Sequence, residues 1–269
     1  MTKMLFGICL LSLLGAVCSP QAARPADITA LGYAPPLLDC LPPPSALDGS
    51  DAERNTDIHQ ETPDLDEMPD GFVHVTDLAP DALLDIRYYS AFNFAGTRID
   101  GYQAPNAILS RPAAEALVRV AAAACERGYV LRIFDAYRPQ AAVDHFVRWA
   151  EDPLDQTLKN IFYPEVDKNR LFELNYIAQK SGHSRGATVD LTLVDRISGQ
   201  ELDMGSPFDF FGPISHHGTP LITPAQSANR AILQTLMQEN GFKPYAEEWW
   251  HYTLEDEPYP DTYFNFPVR

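Results

Sequence analysis

The stretch Ser181-Gly-His-Ser-Arg-Gly-Ala-Thr-Val-Asp190 joins a histidine to an aspartate through a glycine-containing turn. It then runs into Leu191-Thr-Leu-Val194, which reads as a buried strand. His183 and Asp190 offer a nitrogen and an oxygen donor of the kind zinc accepts. Two ligands do not hold a zinc ion tightly, so a third must come from elsewhere in the chain. The best candidate is His251, in Glu248-Trp-Trp-His251, and that run also carries a carboxylate. Two nitrogens, one oxygen and a nearby free Glu are what a water-activating zinc hydrolase needs.

Each of these residues also has a structural reading. Asp190 opens an otherwise apolar strand, where an unpaired carboxylate would be costly, so a cation must lie near it. A metal would serve, and so would an Arg or Lys. His251 stands among aromatic residues and could be a plain core histidine. Glu248 and His251 would point to opposite faces of a regular strand. They can share a site only if Glu248 precedes the strand proper or a bulge turns it. Glu248 could then take a proton from the attacking water and pass it to the leaving amine. The H-E-x-x-H helix motif is absent.

Asp135-Ala-Tyr-Arg138-Pro139 follows a predicted strand and precedes a helix. Arg138 there can donate two bonds to a developing oxyanion, or simply pair with Asp135. Asp209 is an acid in a loop, where a solvated or capping role is the usual one. His216-His217 looks metal-like but is unaccompanied and reads as loop. His59, His74 and His145 have no sequence partners and read as structural.

The elements that must position these groups follow from local pattern. Phe72–Val75 and Leu83–Tyr88 read as short strands. Ser110 can cap a helix with Pro112 in its first turn, running to about Glu126 and broken by Gly128. Tyr129–Asp135 is a strand, and Pro139 starts a second helix through Trp149. Residues 151–180 read as loop with short helix. The strand of residues 187–194 is followed by a long Gly-, Pro- and His-rich connection. Thr223 caps a third helix ending at Asn240-Gly241, and residues 249–254 form a closing strand. Without regular β-α-β alternation, this favours a single α+β domain with a largely antiparallel sheet flanked by helices, the zinc site lying at the sheet.

The chain has 269 residues, 45% hydrophobic and 21% charged, enough for one sizeable core. Its net charge of -17 disfavours nucleic acid and anionic lipid as partners. Lys3 precedes an apolar run over Met4–Val17, too short to span a bilayer, with small residues after it. This reads as a signal peptide over 1–23, directing export, with a periplasmic location expected. Cys18 raises lipid anchoring, but Val17 is a poor residue before a lipidated cysteine. Cys40 and Cys125 could form a disulfide in an oxidising compartment. Residues 24–70, rich in Pro, Asp and Glu, read as an arm, and the folded domain spans 71–269.

Taken together, these residues resemble the zinc D-alanyl-D-alanine dipeptidases of the vancomycin-resistance type, from about residue 74 to the C-terminus. The resemblance rests on Asp100-Gly-Tyr102, Asp135-x-Tyr-Arg-Pro139, Ser181-x-His-Ser-Arg-Gly-x-x-x-Asp-Leu-Thr-Leu193 and Met204-Gly-Ser-x-Phe-Asp-Phe210. Glu248-Trp-Trp-His-Tyr252, Asp256-Glu-Pro-Tyr-Pro260 and the ending Tyr263-Phe-Asn-Phe-Pro-Val-Arg269 add to it. It implies one zinc per subunit on His183, Asp190 and His251, with Glu248 as base and Arg138 stabilising the tetrahedral intermediate. It suggests that Asp209 and Tyr88 hold the ammonium of a dipeptide substrate, with Ser181 and Asp135 lining or supporting the pocket. The role would lie in wall-peptide turnover or glycopeptide resistance. A related-fold zinc carboxypeptidase or endopeptidase acting on peptidoglycan stems would share the His…Asp…His pattern. A non-catalytic binding module would not need Glu248 and Arg138.

Overall fold

The computed structural model describes residues 67–269. His59, Cys18, Cys40, the signal segment and most of the 24–70 arm lie outside the described residues. Cys125 is disulfide-bonded, and the expected pairing with Cys40 also falls outside them.

Among the described residues seven strands and five α-helices follow in order: β1 (Phe72–His74), α1 (Val75–Leu78), β2 (Leu83–Leu84), β3 (Ile108–Ser110), α2 (Arg111–Glu126), β4 (Tyr129–Asp135), α3 (Gln140–Glu151), α4 (Lys159–Phe162), β5 (Thr188–Asp195), α5 (Pro224–Glu239), β6 (Phe242–Tyr245) and β7 (Glu248–Leu254). β1 and β3 pair on their own, and the main sheet runs β2-β4-β5-β7-β6. This sheet is mixed, which corrects the expectation of a largely antiparallel one: β2 runs parallel to β4, while the other three pairings are antiparallel. The reason is topological. The chain leaves β2, passes through β3 and α2, and only then enters β4, and such a crossover returns the strand in the same direction.

β5 is the central strand and nearly all of it is buried. Its residues alternate, with Val189, Leu191 and Leu193 on one face and Thr188, Asp190 and Thr192 on the other. Leu131 and Ile133 of β4 lie opposite Leu193 and Leu191 and continue the apolar face. α2 packs on β4, α5 packs on β6, and the two helices touch. Leu117, Val120, Leu233 and Leu236 share the core with those strand residues. Each such side chain contributes about 1.5–3 kcal/mol on burial.

α2 buries Ala113, Ala116, Leu117, Val120 and Ala124, a stripe at helical spacing. Ser110 does not cap it; its side chain makes no capping bond, and the residue instead closes β3. Thr223 does cap α5, with Gln226 completing a capping box. The C-terminal tail is tied to the segment after β4 and to the turn before β5. Tyr137 Oη donates to Phe266 O at 2.9 Å, and Phe264 N donates to Ser184 O at 2.8 Å.

Candidate active site

Three strands bring their chemistry together on one rung. Asp135 of β4 lies opposite Asp190 of β5, and Asp190 lies opposite His251 of β7. Asp135 reaches this rung through a register shift between Ile133 and Asp135. With regular pairing Phe134 would stand opposite Asp190, so the bulge re-aims the carboxylate onto the polar face. A second shift, between Pro244 and Tyr245, sets Tyr245 opposite Glu248. This bulge resolves the conflict of strand period: Glu248 Oε2 lies 3.3 Å from His251 Nδ1.

His183 sits on a 3₁₀ turn, Gly182–Arg185, leading into β5. Ser181 Oγ accepts from the His183 backbone N–H at 3.3 Å. Gly186 ends the turn at φ 77°, and a Cβ there would come within 2.2 Å of the Phe72 ring, so only glycine fits. Arg185 grips Glu257 by two bonds of 2.6 and 2.8 Å, anchoring the turn to the segment after β7. The His183 ring nitrogen Nδ1 lies 2.7 Å from Ala136 O. That contact needs a proton on Nδ1, which leaves the Nε2 lone pair facing the cluster.

His183 Nε2 lies 3.3 Å from His251 Nδ1 and 3.3 Å from Asp190 Oδ2, and His251 Nδ1 lies 3.2 Å from Asp190 Oδ1. One donor atom from each of His183, Asp190 and His251 can be chosen so that all lie within 4.8 Å of one another. Ligands placed at 2.0–2.2 Å around a tetrahedral zinc stand roughly 3.3–3.6 Å apart, so the donor set fits such an ion in type and spacing. Electrostatics points the same way. Asp190 is 2% exposed, and its Oδ1 makes no hydrogen bond. Burial alone would raise its pKa, yet positive charge on the facing His183 and His251 would hold it below the usual carboxylate range. Burial opposes protonation of His251, but Asp190 and Glu248 draw its pKa up to about 9. A site that attracts positive charge this strongly is complementary to a metal cation.

Arg138 lies beside the cluster. Its Nε donates to Asp135 Oδ2 at 2.9 Å, and its Nη2 lies 3.6 Å from Asp190 Oδ2. The guanidinium also stands over the Tyr88 ring, 4.9 Å from its centroid. Thus the Asp135–Arg138 pair exists, and it stands at the site. Tyr102 Oη donates to Asp135 Oδ1 at 2.6 Å and fixes that carboxylate from behind.

A cavity of about 260 Å³ opens over these groups, with Ser181, Asp209, Tyr88 and Glu248 in its lining. That volume suits a ligand below drug size. Tyr88 Oη donates to both Asp209 oxygens, at 3.1 and 3.0 Å. Among the described residues no ion pair reaches Asp209, which is 5% exposed. Burial first, and repulsion from Asp190 next, push its pKa well above the ordinary value. A cation beside this carboxyl would favour its charged form.

His216 and His217 stay apart from the cluster. His216 Nε2 stands 3.5 Å from Tyr176 Oη, while burial and the Arg230 charge bring the His217 pKa down to about 4. His145 Nδ1 accepts from the Asp100 backbone N–H. Sequence reasoning gave no role to Tyr102, Tyr176 or Tyr245, the last two of which line the cavity. The Asp100-Gly-Tyr102 run was visible, but nothing in it tied the tyrosine to Asp135. Tyr245 belongs to β6, which Pro244 disguises; proline is tolerated there because β6 is an edge strand. Among the described residues no helix is long and apolar enough to cross a membrane.

A family model described as D-ala-D-ala dipeptidase matches residues 68–269. A D-alanyl-D-alanine dipeptidase of Enterococcus faecalis is 42% identical over 201 residues, 75% of this chain and 100% of its own length. One of Streptomyces coelicolor is 43% identical over 201 residues, with the same coverage. One of Escherichia coli is 35% identical over 175 residues, 65% of this chain and 80% of its own length.

Proposed function

This chain belongs to the D-ala-D-ala dipeptidase family, and from that premise we propose that it hydrolyses the free dipeptide D-alanyl-D-alanine to two D-alanines. The observation that carries the reading is the pairing, within one small cavity, of a His-Asp-His donor set with a buried acid that no ion pair reaches among the described residues. The first set suits a hydrolytic metal, and the second suits the free amine of a short peptide.

In this reading His183, Asp190 and His251 hold one zinc ion per subunit. A zinc ion there would polarise the scissile carbonyl and bring the pKa of water down to about 7. Glu248 takes the proton of the attacking water and delivers it to the leaving amine. Arg138, held by Asp135, faces the negative charge that develops on the carbonyl oxygen. Ser181 lines the pocket and caps the turn that carries His183. Asp209 and Tyr88 receive the substrate ammonium. A longer or acylated N-terminal side would leave Asp209 buried and unpaired, which restricts the enzyme to dipeptides.

Residues 1–23 serve as an export signal, 24–70 as an arm and 71–269 as the catalytic domain. An exported enzyme meets dipeptide released during wall turnover rather than the cytoplasmic precursor. The assay compares D-Ala-D-Ala with a pentapeptide stem ending in D-Ala-D-Ala. The free dipeptide is cleaved, and the stem is cleaved at least about 100-fold more slowly, the loss expected when a buried acid is left unpaired. Comparable rates on both would reassign the protein as a carboxypeptidase of peptidoglycan stems.

A further inference from the structure

Asp209 is carried by a long loop between β5 and α5, and its backbone stands at φ 61°, in the left-handed region that few residues besides glycine adopt and in which aspartate is enriched. One side chain outside the cavity lining bonds both arms of this loop. Arg230, on α5, is 4% exposed. Its Nε donates to Met204 O at 2.6 Å on the arm leading to Asp209. On the returning arm Nη2 donates to Ile214 O at 2.8 Å and Nη1 to His216 O at 3.0 Å. Nη2 also lies 3.4 Å from Ser206 Oγ. Ser206 Oγ in turn accepts from Trp249 Nε1 at 3.0 Å and meets Ser215 Oγ at 3.0 Å, and Ser215 Oγ donates to Phe210 O at 2.7 Å.

Among the described residues no carboxylate forms an ion pair with Arg230, whose donors are spent on three backbone carbonyls and a hydroxyl. Burying an unpaired guanidinium is unfavourable unless its fork satisfies several acceptors at once. Here the fork closes the base of the loop, and Asp209 stands at the tip between the two gripped arms. Lysine would keep the charge but could not span both arms, since its ammonium is a point donor rather than a planar fork.

We infer that Arg230 is a positioning residue for substrate recognition, acting through the 203–217 loop to hold the Asp209 carboxylate where it meets the substrate ammonium. The inference rests on the reading of Asp209 as the ammonium site.

The test is a cycle of R230K, D209N and the double variant, assayed on D-Ala-D-Ala, with R230Q beside them. R230K and R230Q should raise KM about tenfold or more while kcat changes less than about threefold. In the D209N background R230K should add almost nothing, because the group through which it acts is already gone. Amide hydrogen exchange over residues 206–211 should speed up in R230K with bound metal unchanged. Additive effects of R230K and D209N, or a loss confined to kcat, would overturn the inference. So would failure of both Arg230 variants to fold, since a positioning role requires the fold to survive. If the wild-type chain does not turn over D-Ala-D-Ala, the functional reading fails, while the exchange rates still decide whether Arg230 holds the loop.

Discussion

Replacing Glu248 with Ala should lower kcat on D-Ala-D-Ala by about a thousandfold, within the range of roughly 10²–10⁴ that a positioned general base contributes, while metal content stays at one per chain. The expectation follows from where Glu248 stands. Its side chain is 17% exposed, lines the cavity, and reaches within 3.3 Å of His251 Nδ1. It is therefore beside the three candidate metal donors without being one of them, and its loss should spare metal binding. E248Q should behave like E248A, because the amide keeps the shape but cannot accept the proton. Steady-state kinetics with metal analysis by atomic absorption checks both parts. Activity above about a tenth of wild type would remove Glu248 as the base.

The second large effect belongs to His251. His251→Ala should weaken metal binding by more than the roughly 10–100-fold that loss of an outer partner of a metal ligand costs. Turnover should fall with it at metal concentrations that saturate the wild type. His251 is the better ligand to test, because its side chain is 18% exposed whereas His183 is 1% exposed and also bonds Ala136 O. Removing His183 would disturb the turn as well as the donor set. Titration of the metal-free protein with zinc, read by calorimetry, measures the change. Unaltered affinity in H251A would exclude His251 from the donor set.

Much of the site was legible because the chemistry lies on strongly patterned elements. The alternation of Val189, Leu191 and Leu193 with Thr188, Asp190 and Thr192 defines a strand whose polar face must be answered by something. The turn before it needs Gly186, and that glycine stands in the sequence. His251 was legible as a candidate third donor from its residue type and neighbours. Its relation to Glu248 was not, because strand period sets the two on opposite faces, and only the bulge against β6 reverses that. The bulge at Phe134 was equally silent, since nothing local marks a register shift.

Other features depend on contacts distant in sequence. β2 has only Leu83 and Leu84, so its parallel pairing with β4 leaves no pattern to read. Val75 reads as strand by type but starts a short helix. Ser110 has the chemistry of a cap but spends its backbone N–H on Gly186 O at the end of β3. Arg230 looks like a surface residue of an amphipathic helix. Its burial follows from the loop that folds over it, which no helical pattern encodes.

The most direct measurement is hydrolysis of D-Ala-D-Ala by the purified protein, with and without a chelator, beside L-Ala-L-Ala and N-acetyl-D-Ala-D-Ala. Chelator-sensitive cleavage of the free D,D-dipeptide alone is the predicted result. It would support the metal, the stereochemistry and the role of Asp209 together. Cleavage of the acetylated substrate at a comparable rate, or turnover that survives metal removal, would contradict the account.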